Sequence, residues 1–392
     1  MISSLYLHVP FCERKCEYCD FPSLAGALDQ QHAYVTTLRR ELRALGPLAG
    51  AAALETVFVG GGTPSLVDPE LLHEVMDEVR SAFRLAPSPE VTLEANPSST
   101  SKERARAWLD AGFTRVSIGV QSLEPDILAF LGRVHDPERA LMALREVRQA
   151  GFENVNCDLI YAVPGLDDAR WVATLERVID ASPDHISAYE LTVEQGTPLH
   201  VAVSRGRVRP VDEETALRQH RAAIEILHGA GYSQYEVSNF ARAGRECRHN
   251  LVYWRNGFYL AAGMGAHGHV PADRAAALGI AEPFGGAVAL RYWHSRRLAD
   301  YVNPSPGEGL PLAGHEFVGA PQREAERLML GLRLSEGAPL DDPRLTDTAA
   351  TLADRGLLQV SAGRARVTAR GQEVLNEVAL QLSEQILDPC YP

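Results

Sequence analysis

Three cysteines near the start of the chain, Cys12, Cys16 and Cys19, constrain its fold and chemistry more than any other feature. They follow a short apolar run at residues 5–10, and their C-x3-C-x2-C spacing puts three thiols on one loop. Thiolates grouped in this way bind zinc or an iron–sulfur cluster. A structural zinc ion needs four protein ligands, and no fourth Cys or His lies at the usual short spacing. The residues that could be recruited from a distance are His8, Cys157 and Cys247.

The number of thiols favours an iron–sulfur site over zinc. A four-iron cluster that is held by three cysteines keeps one iron open for a second molecule. A disulfide is disfavoured because it would leave one of the three thiols without a partner. The other cysteines, Cys157, Cys247 and Cys390, are scattered and form no disulfide framework. This distribution is typical of proteins in a reducing cytoplasm.

Length and charge narrow the class of protein further. A chain of 392 residues can form one large domain and a smaller one. Its start lacks the basic and apolar regions of a secretory signal, and no apolar run approaches the roughly 20 residues needed to span a bilayer. The net charge of -13 argues against general nucleic-acid binding, which needs a basic surface. We therefore expect a cytoplasmic protein that does not bind nucleic acid.

Strand-like and helix-like stretches alternate through the first half of the chain. Six such units predict parallel strands joined by crossover helices. A complete barrel of this kind needs eight units, so six predict an α/β fold with a partial (βα)6 barrel that is open on one side. The predicted strands are residues 4–9, 55–59, 91–94, 115–120, 154–161 and 185–191. The predicted helices are residues 29–45, 69–83, 102–110, 124–130, 137–149, 168–179 and 213–228.

Polar residues and glycines recur at the predicted carboxyl ends of these strands, where such folds place their chemistry. A glycine run at residues 60–62 allows backbone N–H groups to approach a ligand closely. An ordinary turn is the alternative interpretation of the glycines, and a structural polar network inside the barrel is the alternative for the other residues. The candidate residues at these ends are Gly61, Gly62, Thr63, Glu94 and Gln121, together with Arg133, one helix further on, and Asp158, inside the fifth strand.

The motifs taken together resemble the coproporphyrinogen oxidase-like branch of the radical S-adenosylmethionine (SAM) superfamily. The segments that carry the resemblance are YLHVPFC, CEYCDF, GGGTP, LEANP, GVQS and LGRVH, in this order along the chain. The resemblance implies a [4Fe-4S] cluster ligated by Cys12, Cys16 and Cys19, with SAM chelated at the open iron. The cofactor-binding residues that it implies are Tyr6, Phe21, Gly61, Gly62, Thr63, Glu94, Gln121, Arg133 and Asp158.

Two departures from the true oxidases point to a sister group, the HemW-type heme chaperones. The oxidases carry a further cysteine two places after the third ligand, where this chain has Phe21, and they have a long arm before the cluster loop. The resemblance then implies heme as a third cofactor and acceptor hemoproteins, among them membrane-bound respiratory enzymes, as partners. The alternative is an oxygen-independent coproporphyrinogen III oxidase, and the sequence leaves open whether SAM is cleaved. It also leaves open homodimerisation and peripheral contact with a membrane.

A second motif, H-N-x-x-Y-W at residues 249–254, resembles the heme-binding signature of the same group. An imidazole is a common axial ligand of heme iron, and Tyr253 and Trp254 offer flat apolar surfaces to a porphyrin. His249 is therefore the heme-ligand candidate, with Cys247 and His267 as rivals. The alternative is a surface histidine whose aromatic neighbours pack on the barrel. The glycine-rich run around His267 equally predicts a strand and turn that close the catalytic face.

The composition changes after about residue 302, where Pro and Gly mark a linker. The order helix (322–332), helix (345–355), β-hairpin (358–360 and 365–368) and a last helix from residue 369 resembles a winged-helix module. Residues 321–392 hold eight Arg and eleven Asp and Glu, a net charge of 8 − 11 = −3, so we expect a covering or docking domain rather than a DNA-binding one. The predicted domains are 1–235 (barrel), 236–302 (barrel-closing segment) and 303–392 (winged-helix-like domain).

Overall fold

A nine-stranded sheet organises the molecule in a computed structural model that describes residues 1–281, 285–303 and 310–387. The strands are β1 (Ser4–Val9), β2 (Phe11–Cys12), β3 (Leu24–Ala25), β4 (Leu54–Gly61), β5 (Leu85–Ala95), β6 (Arg115–Gln121), β7 (Val155–Tyr161), β8 (His185–Glu190), β9 (Ser233–Gln234), β10 (Asn239–Ala241), β11 (Leu260–Ala262), β12 (His267–Pro271), β13 (Ala287–His294), β14 (Leu312–Gly319), β15 (Ala338–Pro339), β16 (Leu358–Ser361) and β17 (Arg364–Val367). The α-helices are α1 (Gln31–Ala49), α2 (Pro69–Ala82), α3 (Lys102–Ala111), α4 (Pro125–Phe130), α5 (Pro137–Ala150), α6 (Asp168–Asp180), α7 (Pro198–Ser204), α8 (Glu213–Gly229), α9 (Arg248–Trp254), α10 (Leu298–Val302), α11 (Ala320–Gly331), α12 (Thr346–Asp354), α13 (Ala369–Gln372) and α14 (Leu375–Ser383).

The strand order of the large sheet is β11-β1-β4-β5-β6-β7-β8-β10-β9. Pairing is parallel from β11 through β8, and β10 and β9 are antiparallel. The six units that begin with β1, β4, β5, β6, β7 and β8 form the predicted partial (βα)6 barrel, so the predicted fold class is confirmed. Sequence analysis did not predict that β11 extends one edge of the barrel and that β10 and β9 extend the other.

The strands separate a polar barrel interior from an apolar outer layer, because successive side chains point to opposite faces. In β1 the apolar residues Leu5, Leu7 and Val9 are buried in the main hydrophobic core. Tyr6 and His8 point the other way, and a 3.1 Å hydrogen bond joins the Tyr6 hydroxyl to His8 Nδ1. The same alternation in the neighbouring strands turns their polar residues inward, where they form the candidate site.

The segment after the barrel forms a second sheet, with antiparallel strands in the order β12-β13-β14. Residues 304–309 of the predicted linker lie outside the described part of the chain. Gly314, also expected in the linker, instead lies within β14 opposite Trp293. A Cβ atom at Gly314 would lie 2.5 Å from the Trp293 ring, so this glycine makes room for an indole. The strand therefore continues the middle segment beyond the predicted boundary at residue 302.

The last part of the chain has its own sheet, in the order β15-β17-β16, and its own hydrophobic core. Helix α11, helix α12, the β16–β17 hairpin and the helices that follow it occur in the predicted order, and the short strand β15 between α11 and α12 was not predicted. Helix α7, whose first turn is capped by Thr197, lies between β8 and α8, where sequence analysis predicted no helix. Cys390 lies outside the described residues. Within the part of the chain that the structure describes, no helix has the length and apolar character needed to cross a membrane.

Candidate cofactor site

The three cysteines lie on a loop that follows β1 directly and rests on the carboxyl end of β4. Backbone hydrogen bonds hold the loop there, from Gly62 N–H to the Val9 carbonyl (2.8 Å) and from Thr63 N–H to the Phe11 carbonyl (2.7 Å). The five cysteines in the described residues are all free thiols. Cys12 is buried, whereas Cys16 and Cys19 are half-buried and face the mouth of the barrel. The loop thus presents the three thiols at the edge where the strands end.

Two polar side chains of the barrel reach these thiols. Thr63 Oγ1 donates to Cys12 Sγ at 3.7 Å, and Arg133 Nη1 donates to Cys16 Sγ at 3.5 Å. Burial raises the pKa of the Cys12 thiol and raises that of Cys19 to about 11. Ligation to a metal centre removes the thiol proton and stabilises the thiolate, which burial alone disfavours. In the described residues, no three His, Cys, Asp or Glu side chains converge closely enough to hold a single metal ion.

The glycine run makes room for the cysteine loop and for His8. Gly61 has a φ of +115°, and a Cβ atom at this position would lie 2.5 Å from the His8 ring. A Cβ atom at Gly62 would lie 2.7 Å from the Phe11 carbonyl oxygen. The Gly61 N–H donates to Glu94 Oε2 at 3.0 Å. Side chains larger than glycine would therefore push the loop away from the strand ends.

Glu94 and Asp158 bring two carboxyl groups into the barrel interior. The Asp158 carboxylate accepts hydrogen bonds from Ser117 Oγ (2.8 Å) and Asn156 Nδ2 (2.7 Å). Burial, with a second contribution from the Asp158 charge, raises the pKa of Glu94 to about 7. A ligand that places a cation beside these groups would relieve their repulsion and favour the ionised form.

Arg133 connects the cysteine loop with the ends of β5 and β6. Besides its bond to Cys16, its Nη2 donates to Asn96 Oδ1 at 2.5 Å and to the Gly119 carbonyl at 2.9 Å. Asn96 Nδ2 in turn donates to Thr63 Oγ1 at 3.1 Å. Sequence analysis did not single out Asn96 as a site residue, although the LEANP segment contains it. Gln121, at the end of β6, has a φ of +66°, an uncommon conformation for a residue with a side chain.

The remaining predicted residues of the barrel are Tyr6, in the middle of β1, and Phe21, after the third cysteine. His8 connects Tyr6 to the residue after Phe21, because its Nδ1 is bonded to the Tyr6 hydroxyl and its Nε2 to the carbonyl of Pro22, at 2.8 Å. The Phe21 side chain is 57% exposed beside the loop. Side-chain contacts thus join Cys12 and Cys16 to Thr63 and Arg133 at the barrel mouth, whereas Tyr6 lies deeper, with its ring stacked on Phe58.

His249 lies elsewhere, inside the opposite end of the barrel. Helix α9 packs against the first residues of β4 and β5, where Arg248 Nη2 donates to the Glu55 carbonyl at 3.0 Å. The Glu90 carboxylate accepts from the backbone N–H groups of Arg248 and His249, both at 3.0 Å. The Phe58 ring stacks on His249 with a centroid distance of 5.3 Å. The H-N-x-x-Y-W segment therefore closes the amino end of the barrel.

Both ring nitrogens of His249 have partners within the protein. Its Nδ1 is bonded to Thr56 Oγ1 at 2.8 Å and its Nε2 to the Tyr253 hydroxyl at 2.9 Å. The side chain is fully buried, which lowers its pKa to about 3. A heme iron could reach His249 only after one of these bonds is exchanged. The alternative interpretation of His249 as a surface residue is wrong, because its side chain is buried. Heme ligation by His249 stays a prediction.

The two rival ligands differ in their accessibility. Cys247 is fully buried, and its Sγ donates to Glu90 Oε1 at 3.6 Å. His267 is exposed at the start of β12, on the same side of the barrel as the cysteine loop. Its ring stacks on Trp293 with a centroid distance of 5.9 Å and an interplanar angle of 22°.

Comparisons with known proteins identify relatives of this chain. Residues 6–178 match the model of the radical SAM superfamily. The chain is 40% identical over 385 residues to heme chaperone HemW of Mycobacterium tuberculosis, across 96% of this chain and 94% of that protein. It is 30% identical to heme chaperone HemW of Bacillus subtilis, across 96% of this chain and 98% of that one.

The fold is shared with a solved structure. Coproporphyrinogen III oxidase (HemN) from Escherichia coli, described as a radical SAM enzyme, superposes with a TM-score of 0.79. The match covers 97% of this chain and 89% of that chain at 20% identity, so it supports the fold alone. Because two HemW proteins match at 30–40% identity over nearly their whole lengths, the chain belongs to the HemW family of the radical SAM superfamily.

Proposed function

We propose that this protein is a heme chaperone, which binds a [4Fe-4S] cluster, SAM and heme and delivers the heme to acceptor hemoproteins. The observation that carries the proposal is the 40% identity, over 96% of the chain, to a protein named heme chaperone HemW. The thiol trio at the barrel mouth supports it independently, because three cysteines with an arginine and a threonine bonded to them suit an iron–sulfur centre.

In this proposal Cys12, Cys16 and Cys19 hold the cluster. When bound, the cluster supplies redox-active iron with one coordination position that the protein does not fill. The Arg133 guanidinium offsets negative charge on the thiolates, and its bonds to Asn96 and Gly119 fix its position. Neighbouring residues of the barrel thus already orient the Arg133 guanidinium toward the cysteine loop.

SAM would bind beside the cluster, at the ends of β4 to β7. The resemblance to the superfamily assigns this role to Tyr6, Phe21, Gly61, Gly62, Thr63, Glu94, Gln121, Arg133 and Asp158. The chemistry of the interior supports the assignment, since carboxylates and close backbone N–H groups suit the amino, carboxylate and hydroxyl groups of such a ligand. Glu94 would hold a negative charge more easily with an ammonium group beside it, because burial and the charge of Asp158 raise its pKa to about 7.

We propose a carrier rather than an oxidase because Phe21 occupies the position of the oxidases' additional cysteine. Its ring is 57% exposed and offers an apolar surface, not a ligand, beside the loop. In this proposal the protein acts in the cytoplasm and passes heme to acceptors that include membrane-bound respiratory enzymes. Sedimentation before and after cluster loading would measure whether the protein is a homodimer when it does so.

The proposal is tested by anaerobic reconstitution, followed by quantitation of iron, sulfide and heme. We expect about four irons and four sulfides per chain, heme uptake in a spectral titration, and transfer of that heme to an apo-hemoprotein. Cluster-loaded protein that takes up no heme would refute the proposal. A parallel assay with coproporphyrinogen, SAM and a reductant tests the oxidase, and formation of the decarboxylated product would replace the carrier function with an enzymatic one.

A further inference from the structure

Helix α1 carries two buried polar side chains, Tyr34 and Glu41, that belong to the outer layer of the barrel and not to its interior. They are 1% and 3% exposed, and both accept hydrogen bonds from the glycine-rich turn at residues 263–266. His294 of β13 and Tyr301 of α10 complete the cluster through their bonds to Glu41, and both are buried as well. We call these four residues the loop clamp.

Three donors fix the Glu41 carboxylate. Its Oε1 accepts from His294 Nε2, and its Oε2 accepts from the Tyr301 hydroxyl at 2.6 Å and from the Gly263 N–H at 3.1 Å. On the other side of the His294 ring, Nδ1 is bonded to the Ala266 carbonyl at 3.0 Å. A buried charge is costly unless such bonds satisfy it. The carboxylate therefore connects both ends of the glycine-rich turn to α1.

The Tyr34 hydroxyl connects the turn to the strand that precedes the cysteine loop. It donates to the His8 carbonyl at 2.5 Å and accepts from the Met264 N–H at 3.1 Å. The Tyr34 ring packs edge-on against Phe11, the residue before Cys12, with a centroid distance of 5.4 Å. One side chain thus contacts the turn and the beginning of the cysteine loop.

The turn also lies against the end of the cysteine loop. A Cβ atom on Gly265 would lie 2.6 Å from Pro22, so the absence of a side chain allows this close approach. The Gly265 N–H donates to the Ser295 carbonyl at 2.8 Å, and the next residue, Arg296, donates through Nη2 to the Asp20 carbonyl at 2.8 Å. The cysteine loop is thus supported both before its first cysteine and after its last.

We propose that the loop clamp positions the cysteine loop for cluster binding: Tyr34 holds the beginning of the loop, and Glu41 holds the turn against which its end lies. This inference rests on the proposed function, since it concerns retention of the [4Fe-4S] cluster. The four residues are positioning residues, because none of them has a hydrogen bond to a cysteine within the described part of the chain. Residues of this kind orient metal ligands, and their removal weakens metal binding.

The test compares Tyr34→Phe with Tyr232→Phe in the full chain after anaerobic reconstitution. Tyr232 is a matched control at the opposite end of the barrel, because its buried hydroxyl also makes two bonds, donating to the Pro183 carbonyl at 2.7 Å and accepting from Arg242 Nη2 at 3.2 Å. We expect similar unfolding free energies for the two variants. On addition of an iron chelator, Tyr34→Phe should lose the visible absorbance of the cluster about two- to tenfold faster than Tyr232→Phe, the range that one net hydrogen bond provides.

Thiol labelling of the cluster-free chain gives a second readout. Cys12 is buried, so a thiol reagent reaches it only when the loop opens. Tyr34→Phe should label Cys12 faster than the wild type does, whereas Tyr232→Phe should label it at the wild-type rate. If the two variants agree in both measurements, the proposal is overturned and Tyr34 serves the stability of the fold alone. Faster labelling without faster cluster loss overturns it as well.

Tyr301→Phe tests the part that Glu41 plays. This substitution removes one of the three donors to the carboxylate, so we expect a smaller acceleration of cluster loss than in Tyr34→Phe. A rate equal to that of Tyr232→Phe would contradict the place of Glu41 in the loop clamp. Wild-type protein that takes up no iron and sulfide would instead refute the proposed function, and labelling of Cys12 would then still decide whether the clamp positions the loop.

Discussion

At the scale of single residues, the barrel interior keeps several histidines buried and uncharged. Burial lowers the pKa of His249 to about 3 and that of His8 to about 4, from an ordinary value of 6.5. In the unfolded chain these residues take up protons as the pH falls below 6.5, whereas in the folded chain they do not. The folded state is therefore progressively disfavoured between pH 6.5 and the lowered values.

A single substitution can isolate one of these contributions. We expect the free energy of unfolding of the wild type to fall between pH 6.5 and pH 4 more steeply than that of His249→Gln, by up to about 1.4 kcal/mol per pH unit. Glutamine is polar but does not take up a proton, so its variant lacks this term. Urea titrations of both proteins at several pH values provide the measurement. Parallel pH profiles would mean that His249 is already accessible to protons in the folded chain.

Another buried histidine, His294, behaves in the opposite way because it is paired with Glu41. The Glu41 carboxylate is 3% exposed and accepts from His294 Nε2, from the Tyr301 hydroxyl at 2.6 Å and from the Gly263 N–H at 3.1 Å. Burial alone would lower the pKa of His294, but the charge of Glu41 raises it above the ordinary 6.5. This cluster ties α1 to β13 and to the glycine-rich turn that leads to His267.

Removing the carboxylate leaves a buried imidazole without a counter-charge. Glu41→Gln should destabilise the chain by about 3–5 kcal/mol near pH 6. The loss should become smaller as the pH rises through the raised pKa of His294, because the neutral ring no longer needs the charge. Unfolding free energies at pH 6 and pH 9 check this, and a loss that grows with pH would contradict the pairing.

At the scale of secondary-structure elements, much of the barrel could be predicted because its signals are local. Alternating apolar residues identify the strands, and side chains that cap the next helix mark its beginning, as Asp68 does for α2, Ser101 for α3 and Asp136 for α5. The α2 helix was predicted at residues 69–83 and spans Pro69–Ala82. Such errors of a residue or two are expected where the last turn of a helix ends.

The parts that sequence analysis missed depend on contacts between distant residues. The short strand β11 pairs with β1 across more than 250 positions, with Leu260 opposite Leu5, and nothing in its own three residues specifies that partner. The burial of His249 likewise depends on Thr56 and Glu90, which lie far back in the chain. The glycine run and the cysteine loop could be predicted together because both belong to consecutive units of the barrel.

Gly314 shows how a residue read as part of a linker can serve an element instead. Gly314→Ala would place a methyl group 2.5 Å from the Trp293 ring, and the resulting overpacking should cost about 1–3 kcal/mol. Gly229→Ala, at the end of α8, is the matched control, since nothing lies within 4 Å of a Cβ atom there. Thermal unfolding of the two variants should differ clearly, and equal stabilities would show that the indole moves aside freely.

At the scale of the whole molecule, the C-terminal module has the order of a winged helix without its usual charge. Helix α12, which precedes the β16–β17 hairpin, carries Asp347 and Asp354 and neither lysine nor arginine. The module also contacts the barrel through an ion pair between Arg255 and Glu336, with Nε and Oε1 3.0 Å apart. Its charge argues against a nucleic-acid-binding surface, and the covering or docking role stays a prediction.

This difference gives a direct expectation for the intact protein. At about 50 mM salt, where phosphate contacts are strongest, a labelled DNA duplex should show no binding up to about 10 μM protein. Fluorescence anisotropy is suitable, with a basic winged-helix protein as positive control. Binding that weakens with the logarithm of the salt concentration would identify a cationic surface and refute the covering role.

The position of α9 affects the route by which a ligand can enter the barrel. Glu90 and residues of β4 hold this helix against the amino end of the barrel. Among the described residues, α9 covers this end, whereas the opposite rim bears the cysteines. A ligand that enters the barrel from the cysteine-bearing rim after the cluster would have to pass it, so we expect the order of loading to change how much ligand is bound.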